Sequence, residues 1–278
     1  MTELPAVSPD PDPADAVGWR NRAQREAARA DALLNIVIPL GVALTTEKDL
    51  GCLLERILVE AQRFCNADSG SLYLLTEDGR LEFAMIRNET LGLSMGGTTG
   101  SPITFPPVPL YDPVTGAAND RYMVVHAALT GKRIHIADAY ARPADADAPE
   151  RQFDFSGTRA FDSRTGYRSV SLLTVPLIRA DGLVIGVLQL INSLHAPTKE
   201  IAPFSANMQQ VIEVLGRLAA VALEGYLREQ KLTEQVRQLR IEIDRVKMVR
   251  QVAEITDTDY FRDLRDKSRQ LRERAPAE

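Results

Sequence analysis

Two stretches of the 278-residue chain alternate apolar and polar residues with period two, and each is broken at an Asp-Gly pair. The first is SLYLLTEDGRLEFAMIR, residues 71–87, with Asp78-Gly79 at its turn. The second is SVSLLTVPLIRADGLVIGVLQLIN, residues 169–192, turning at Asp181-Gly182. Asp-Gly between apolar runs supplies the backbone conformations that a tight hairpin needs. Both stretches therefore predict antiparallel hairpins. The second is more apolar throughout, so its strands are expected near the centre of a sheet. A shorter strand is expected within KRIHIADAY, 132–140, where His135 alternates with Ile134 and Ile136 and should point away from the core.

Helical periodicity brackets this sheet. A helix is predicted from Asp15 to about Ile38, stopped or kinked by Pro39, which lacks a backbone donor. A second is predicted from about Lys48 to Cys65, where Leu50, Leu53, Leu54, Ile57, Leu58 and Ala61 follow the spacing of a core-facing stripe. A third begins near Phe204 and continues as a heptad seam: Leu218, Ala222, Gly225, Leu232, Val236, Leu239, Ile243, Val246 and Ala253, with polar Glu229 and Arg250 as exceptions. Alternating steps of three and four predict a coiled coil, against the alternative of one amphipathic helix lying on its own domain. In ITDTDYFRDL, Thr256 or Asp257 can cap a last helix running to about Arg274.

The expected organisation is a disordered Pro- and Asp-rich tail over 1–13, an N-terminal helix within 14–47 and a domain over 48–228. A coiled coil over 229–253 and a C-terminal helix or tail over 254–278 follow. Residues 88–120 and 141–168 are long and irregular in pattern. Interleaved Leu93, Met95, Phe105, Leu110, Phe153 and Phe155 make them ordered covers on the sheet.

Composition narrows the partners. With 45 % hydrophobic and 26 % charged residues the chain is of ordinary globular type. A net charge of −5 argues against nucleic acid or an acidic membrane as the main partner. No apolar run approaches the ~20 residues that a bilayer needs, and no signal-peptide order is visible, so a cytoplasmic home is expected. Cys52 and Cys65 fall in one helical pattern, roughly 20 Å apart by helical rise, too far for a disulfide. Reduced packing residues are the expected reading, with a redox sensor as the minor one.

Two helices, an antiparallel sheet with long covers and a helix leading into a coil together resemble a GAF domain. The resemblance is carried by NADSGSLYLL (66–75), IHIADAY (134–140), FDSRTGYRSVSLLTVPL (161–177) and GLVIGVLQLIN (182–192), and covers about residues 30–228. It is strongest toward the GAF domains of cyclic-nucleotide phosphodiesterases, adenylyl cyclases and bacterial signalling phosphohydrolases. The fold it implies is α+β: a central antiparallel sheet of about six strands with helices packed on it.

In members that bind cyclic nucleotides, the ligand is enclosed between the sheet and the helices and loops before the fourth strand. By resemblance, Ser71 would face such a pocket from the first strand. Asp162, Thr165 and Ser169 match the family's D..TG..T contacts, with Ser replacing the last Thr. Gln189 stands where some relatives place a pocket Glu, and Arg87 stands near the family's base and phosphate contacts. Phe155 joins these candidates as an anchor of the segment over the sheet. The resemblance thus implies cAMP or cGMP as a ligand. Nucleotide-binding members also carry an Asn-Lys…Phe…Asp-Glu signature. Asn192 and Phe204 are its remnants; Ser193 stands at the Lys, and Met208 and Gln209 at the Asp-Glu, so its ion pair is absent.

The residues support such a site on their own chemistry. A cyclic phosphate wants hydroxyl and N–H donors near helix N-termini, and Arg159, Arg164 and Arg168 add positive charge. Plainer roles stay open: Asp162 capping a short helix, Thr165-Gly166 making only a turn, Arg168 solvated. No catalytic constellation is visible: no phosphate-binding Gly-Lys loop, no Gly-x-Ser-x-Gly elbow, and His126, His135 and His195 stand far apart without metal-ligand spacing. Haem ligation would rest on His126 alone. The expected function is a non-enzymatic signalling module of bacterial type that binds a small molecule and acts through a homodimeric coiled coil. The alternative is a ligand-free dimeric scaffold that recruits an effector through its C-terminal helices.

Overall fold

The computed structural model describes residues 38–141, 152–256 and 258–273. The expected tail over 1–13 and the helix from Asp15 lie outside them. Residues Ile38–Thr45 (α1), which include Pro39, are helical. Proline is tolerated in a first helical turn, where its missing donor would have no partner.

Helix α2, Leu50–Cys65, begins where Asp49 accepts a 2.8 Å hydrogen bond from Cys52 N. That bond holds the Asp49 carboxyl below the usual carboxylate range. The helix ends at Asn66 in the left-handed conformation that Asn tolerates. Leu53, Leu54, Ile57, Leu58, Ala61 and Cys65 are buried along one stripe. Each large aliphatic side chain there contributes about 1.5–3 kcal/mol by leaving water.

The sheet is antiparallel throughout. Its strands are β1 (Ala67–Leu75), β2 (Arg80–Asn88), β3 (Leu93–Gly96), β4 (Val108–Pro109), β5 (Ile134–Ile136), β6 (Leu172–Ile178), β7 (Val184–His195) and β8 (Glu200–Ala202). The spatial order is β3-β2-β1-β7-β6-β5, with β4 beside β2 and β8 beside β7. Both Asp-Gly pairs sit in hairpin turns, with Gly79 and Gly182 at φ +75° and +89°. The central strands are β1 and β7, so one member of each predicted hairpin lies at the centre.

Two helices form in segments that periodicity left irregular or unassigned: α3, Met123–Thr130, and α4, Ser156–Thr165. Helix α5, Ala206–Thr256, and α6, Asp259–Glu273, follow the sheet. Thr258 O accepts from Phe261 N and Arg262 N at the start of α6, one residue beyond the nearer of the caps expected.

Residues up to Tyr226 form one compact unit and those from Leu227 a second. In the first, both faces of the sheet are covered. One face packs Leu72, Leu173, Val175, Leu177, Leu188 and Leu190 against α2 and against Ile212, Leu215, Ala219 and Leu223 of α5. Gly216 lets that helix approach closely, since a Cβ there would lie 3.1 Å from Val175 Cγ1. The seam residue Ala222 is buried in this same core, so the heptad pattern before Gly225 is absorbed by the domain itself. The other face packs Tyr73, Leu172 and Val187 with α3, Ile134, Ile136, Phe153 and Phe155. His135 is therefore not turned to solvent: it meets Phe204 edge-on at 6.3 Å between centroids. Alternation along a strand separates two cores when both faces are covered.

In the second unit α5 exposes Leu232, Val236, Leu239, Ile243 and Val246, each more than half accessible. No helix among the described residues is long and apolar enough to cross a membrane.

Candidate ligand-binding site

The floor of the site is built from alternate residues of three neighbouring strands. Ser69, Ser71 and Tyr73 of β1 face the same side and pair across β2 with Asn88, Ile86 and Phe83. On the other flank, Gln189 and Ile191 of β7 continue the surface, with Gln189 directly opposite Ser71. The Gln189 amide donates to Thr174 Oγ1 at 3.2 Å, which uses one of its two N–H donors. Ser69 Oγ donates to Arg87 O at 3.0 Å, and Asn88 Oδ1 accepts from Leu91 N at 2.8 Å.

The roof is α4. Asp154 Oδ1 accepts from Ser156 N at 2.8 Å at its start, and Gly166, at φ +73°, closes its end. Gly157, Thr158, Phe161 and Arg164 line the cavity, the i, i+1, i+4, i+7 face of that helix. Asp162 is on a different face. Its carboxylate accepts from Ser169 N at 2.8 Å, from Ser169 Oγ at 2.9 Å and from Tyr140 OH at 2.6 Å. The Tyr140 phenol is pushed above its ordinary pKa, chiefly by that bond to Asp162. Arg168 lies over the Tyr140 ring at 4.6 Å and Arg159 at 5.6 Å, while Arg159 also donates to Ala139 O. Asp162 thus fastens the roof helix to the segment that leads into β6.

Between floor and roof lies a cavity of about 240 Å³. Aromatic rings form an arc along it: Tyr73 to Phe83 at 4.4 Å, Phe83 to Phe105 at 5.5 Å and Phe105 to Phe161 at 6.3 Å between centroids. Tyr167 adds a buried ring whose hydroxyl accepts from Asn192 Nδ2 at 3.0 Å. Burial and then the neighbouring Asp68 carboxylate push the Tyr167 phenol well above its ordinary pKa. Arg164 makes no hydrogen bond or ion pair among the described residues.

Three of the residues marked out from the sequence, Ser71, Ser169 and Gln189, come together on the cavity wall. Four do not. Arg87 pairs with Glu89 instead. Phe155 is buried among the apolar residues of the second core. Asp162 serves the roof, and Thr165 is exposed and donates back to Phe161 O at 2.9 Å. For Asp162 the reason is helical geometry, since it stands about 100° around the helix from Phe161; for Thr165 it is the bond that turns its hydroxyl back onto the helix.

The signature remnants are structural. Asn192, at φ +58°, accepts from Val170 N and Ser171 N and donates to Tyr167 OH and to Arg168 O at 2.7 Å, pinning the segment that leads into β6. Phe204 is fully buried. Ser193 Oγ donates to Cys65 O at 2.9 Å and touches Met208 Sδ at 3.7 Å. The positions of the family's ion pair are thus in contact here as a neutral pair. His126 packs edge-on against Phe153 and does not line the cavity.

The sequence reading missed Ser69, which its period-two relation to Ser71 could have marked. It named Arg164 only as one of three nearby charges and Phe105 only as part of a cover, because their place on the wall depends on a helix and a loop without periodic signal.

Several solved structures share features of this architecture. Free methionine-R-sulfoxide reductase from Neisseria meningitidis, solved with its substrate, is 15% identical over 72% of this chain and 93% of its own, with a TM-score of 0.48. The GAF domain of a phosphoenolpyruvate-protein phosphotransferase from Coxiella burnetii is 15% identical over 73% of this chain and 98% of its own, at 0.49. The chromophore-binding domain of Stigmatella aurantiaca bacteriophytochrome is 12% identical over 72% of this chain and 60% of its own, at 0.43. The family model of the GAF domain matches residues 49–223, from the cap of α2 to the last buried turn of α5 in the first unit. This protein belongs to the GAF domain family.

Proposed function

We propose that this protein is a non-enzymatic, cytoplasmic signalling module of bacterial type whose GAF domain binds a small molecule and which acts as a homodimer through its C-terminal helix. The observation that carries the reading is the cavity between β1, β2, β7 and α4, where hydroxyls and amides share the wall with aromatic rings. Concave sites that combine apolar walls with a few placed polar groups are the usual form of small-molecule sites. A ligand that binds better when α4 is seated over the strands would shift the domain toward that arrangement. Asp162, Ser169 and Asn192 tie α4 to β6 and β7, so they are the residues through which its seating would be felt.

The dimer rests on the exposed residues Leu232, Val236, Leu239, Ile243 and Val246, whose spacing of four and three makes a seam for a second copy. Replacing Leu239 and Ile243 by Glu in the full chain should convert a dimer to a monomer by light scattering. A wild-type monomer would remove this part of the reading.

Cyclic nucleotides are the first ligands to test, because the family resemblance points to them and the wall offers both stacking surfaces and hydroxyls. Titration calorimetry of the full chain against cAMP, cGMP and cyclic dinucleotides should give saturable heat with one site per chain. No heat and no thermal shift at millimolar ligand would sink the nucleotide version.

A second reading is favoured by Tyr260, Phe261 and Leu264, exposed on α6. In it the protein is a dimeric scaffold that recruits an effector through its C-terminal helices without a ligand. Effector capture that is insensitive to every ligand but lost on substituting these three residues would favour it.

A further inference from the structure

The lining of the cavity is more selective than a small-molecule site in general. Tyr73, Phe83, Phe105, Phe161 and Tyr167 all contribute rings to it. Because the Tyr167 hydroxyl is already engaged by Asn192, that residue offers its ring more than its oxygen. Stacked or edge-on contacts with such rings favour a planar aromatic ligand, each pair contributing beyond simple burial.

Charge narrows the class further. Among the described residues the lining contains one cation, Arg164, and no carboxylate. The other arginines nearby are committed: Arg87 to Glu89, Arg159 to Ala139 O, and Arg168 to the face of Tyr140. A single unpaired guanidinium matches one carboxylate, with its planar fork of donors. A ligand with more charge would bury it without a partner, at considerable cost.

Size and the polar edge set the rest. A cavity of about 240 Å³ lies below the roughly 300–1,000 Å³ of sites for drug-sized ligands. Gln189, with one N–H held by Thr174, keeps a second N–H and its carbonyl oxygen, so it can meet a polar ligand edge as donor or acceptor.

We propose that the cavity selects small planar aromatic acids, one or two rings against the aromatic arc and a single carboxylate on Arg164. This narrows the small-molecule reading above and rests on it.

The test is calorimetric titration of the full chain with benzoate and 2-naphthoate, with their uncharged amides, and with cAMP. At least one acid is expected to bind tenfold or more tighter than its amide. R164Q, a change at an exposed helical position, should erase that preference while leaving Tm unchanged. The proposal is overturned if acids and amides bind alike, if the preference survives R164Q, or if neither acid binds at millimolar concentration. Binding of cAMP with no acid binding overturns it while leaving the sensor reading intact. A wild-type chain shifted by no ligand in a broad thermal screen would instead remove the sensor reading itself.

Discussion

The two faces of strands β1 and β7 are made of alternate residues of the same stretches, yet they have opposite characters. On one face Leu72, Leu188 and Leu190 are closed over by α2 and α5 in an aliphatic core. On the other, Ser69, Ser71 and Gln189 meet a roof that touches them only across a cavity. The same period-two pattern therefore separates an aliphatic core from a face that holds both a second apolar core and a chamber, not an inside from an outside. The aliphatic face carries stability, and the chamber on the other is free to carry recognition.

The largest effect should come from breaking the aliphatic face. Leu188→Ala or Ile57→Ala removes a fully buried side chain and should cost about 2–5 kcal/mol in urea unfolding. Next is the fastening of the roof. Asp162→Ala strands two donors of Ser169 and the Tyr140 hydroxyl, and a loss of about 3 kcal/mol is expected from the same measurement. A loss as small as that of a surface substitution would mean that the roof is not held through this carboxylate.

The chamber itself should respond in the opposite sense. Gln189→Leu should change stability by less than about 1 kcal/mol, because only one neutral hydrogen bond is lost. Its effect should appear in ligand affinity, by tenfold or more in titration. A large stability loss without a change in affinity would invert the comparison.

Alkaline pH offers a finer probe of the roof. The Tyr140 and Tyr167 phenols have raised pKa values, so folding favours their neutral forms. Their contribution is fully present below the unfolded tyrosine value of about 10 and is lost as pH rises through the folded values. Tyr140→Phe should therefore flatten part of the fall in Tm above pH 10.

The smallest effect concerns the thiols. Burial pushes Cys65 up to about 12, and Cys52 is raised by desolvation and then by Asp49. At pH 8, alkylation should be slow at Cys52 and should reach Cys65 only on unfolding.

The aliphatic face was the legible half. Leu53, Leu54, Ile57 and Leu58 declare a helix by spacing, and Leu188 and Leu190 declare a strand, because burial repeats with the geometry of the element. Helix α3 was hidden because MVVHAALT is apolar on nearly every side. Helix α4 was hidden because SGTRAFDSRT has the composition of a turn, and its end depends on Asp162 O and Gly166 N meeting in three dimensions. Without α4 as a helix, the faces of Asp162 and Arg164 could not be told apart. The resemblance correctly marked a polar segment beside the sheet, but residue matching cannot report that Ser169 now occupies the Asp162 carboxylate.

The central claim is that the chamber over β1 and β7 receives a small molecule. The direct measurement is a thermal-shift screen of the full chain beside Ser71→Phe, which places a ring in the space while leaving the aliphatic face intact. A ligand near a hundred times its Kd adds about 2.7 kcal/mol, a rise of roughly 5–10 °C in Tm. The account predicts such a rise in the wild type and none in Ser71→Phe. An equal rise in both proteins would place the ligand elsewhere and contradict it.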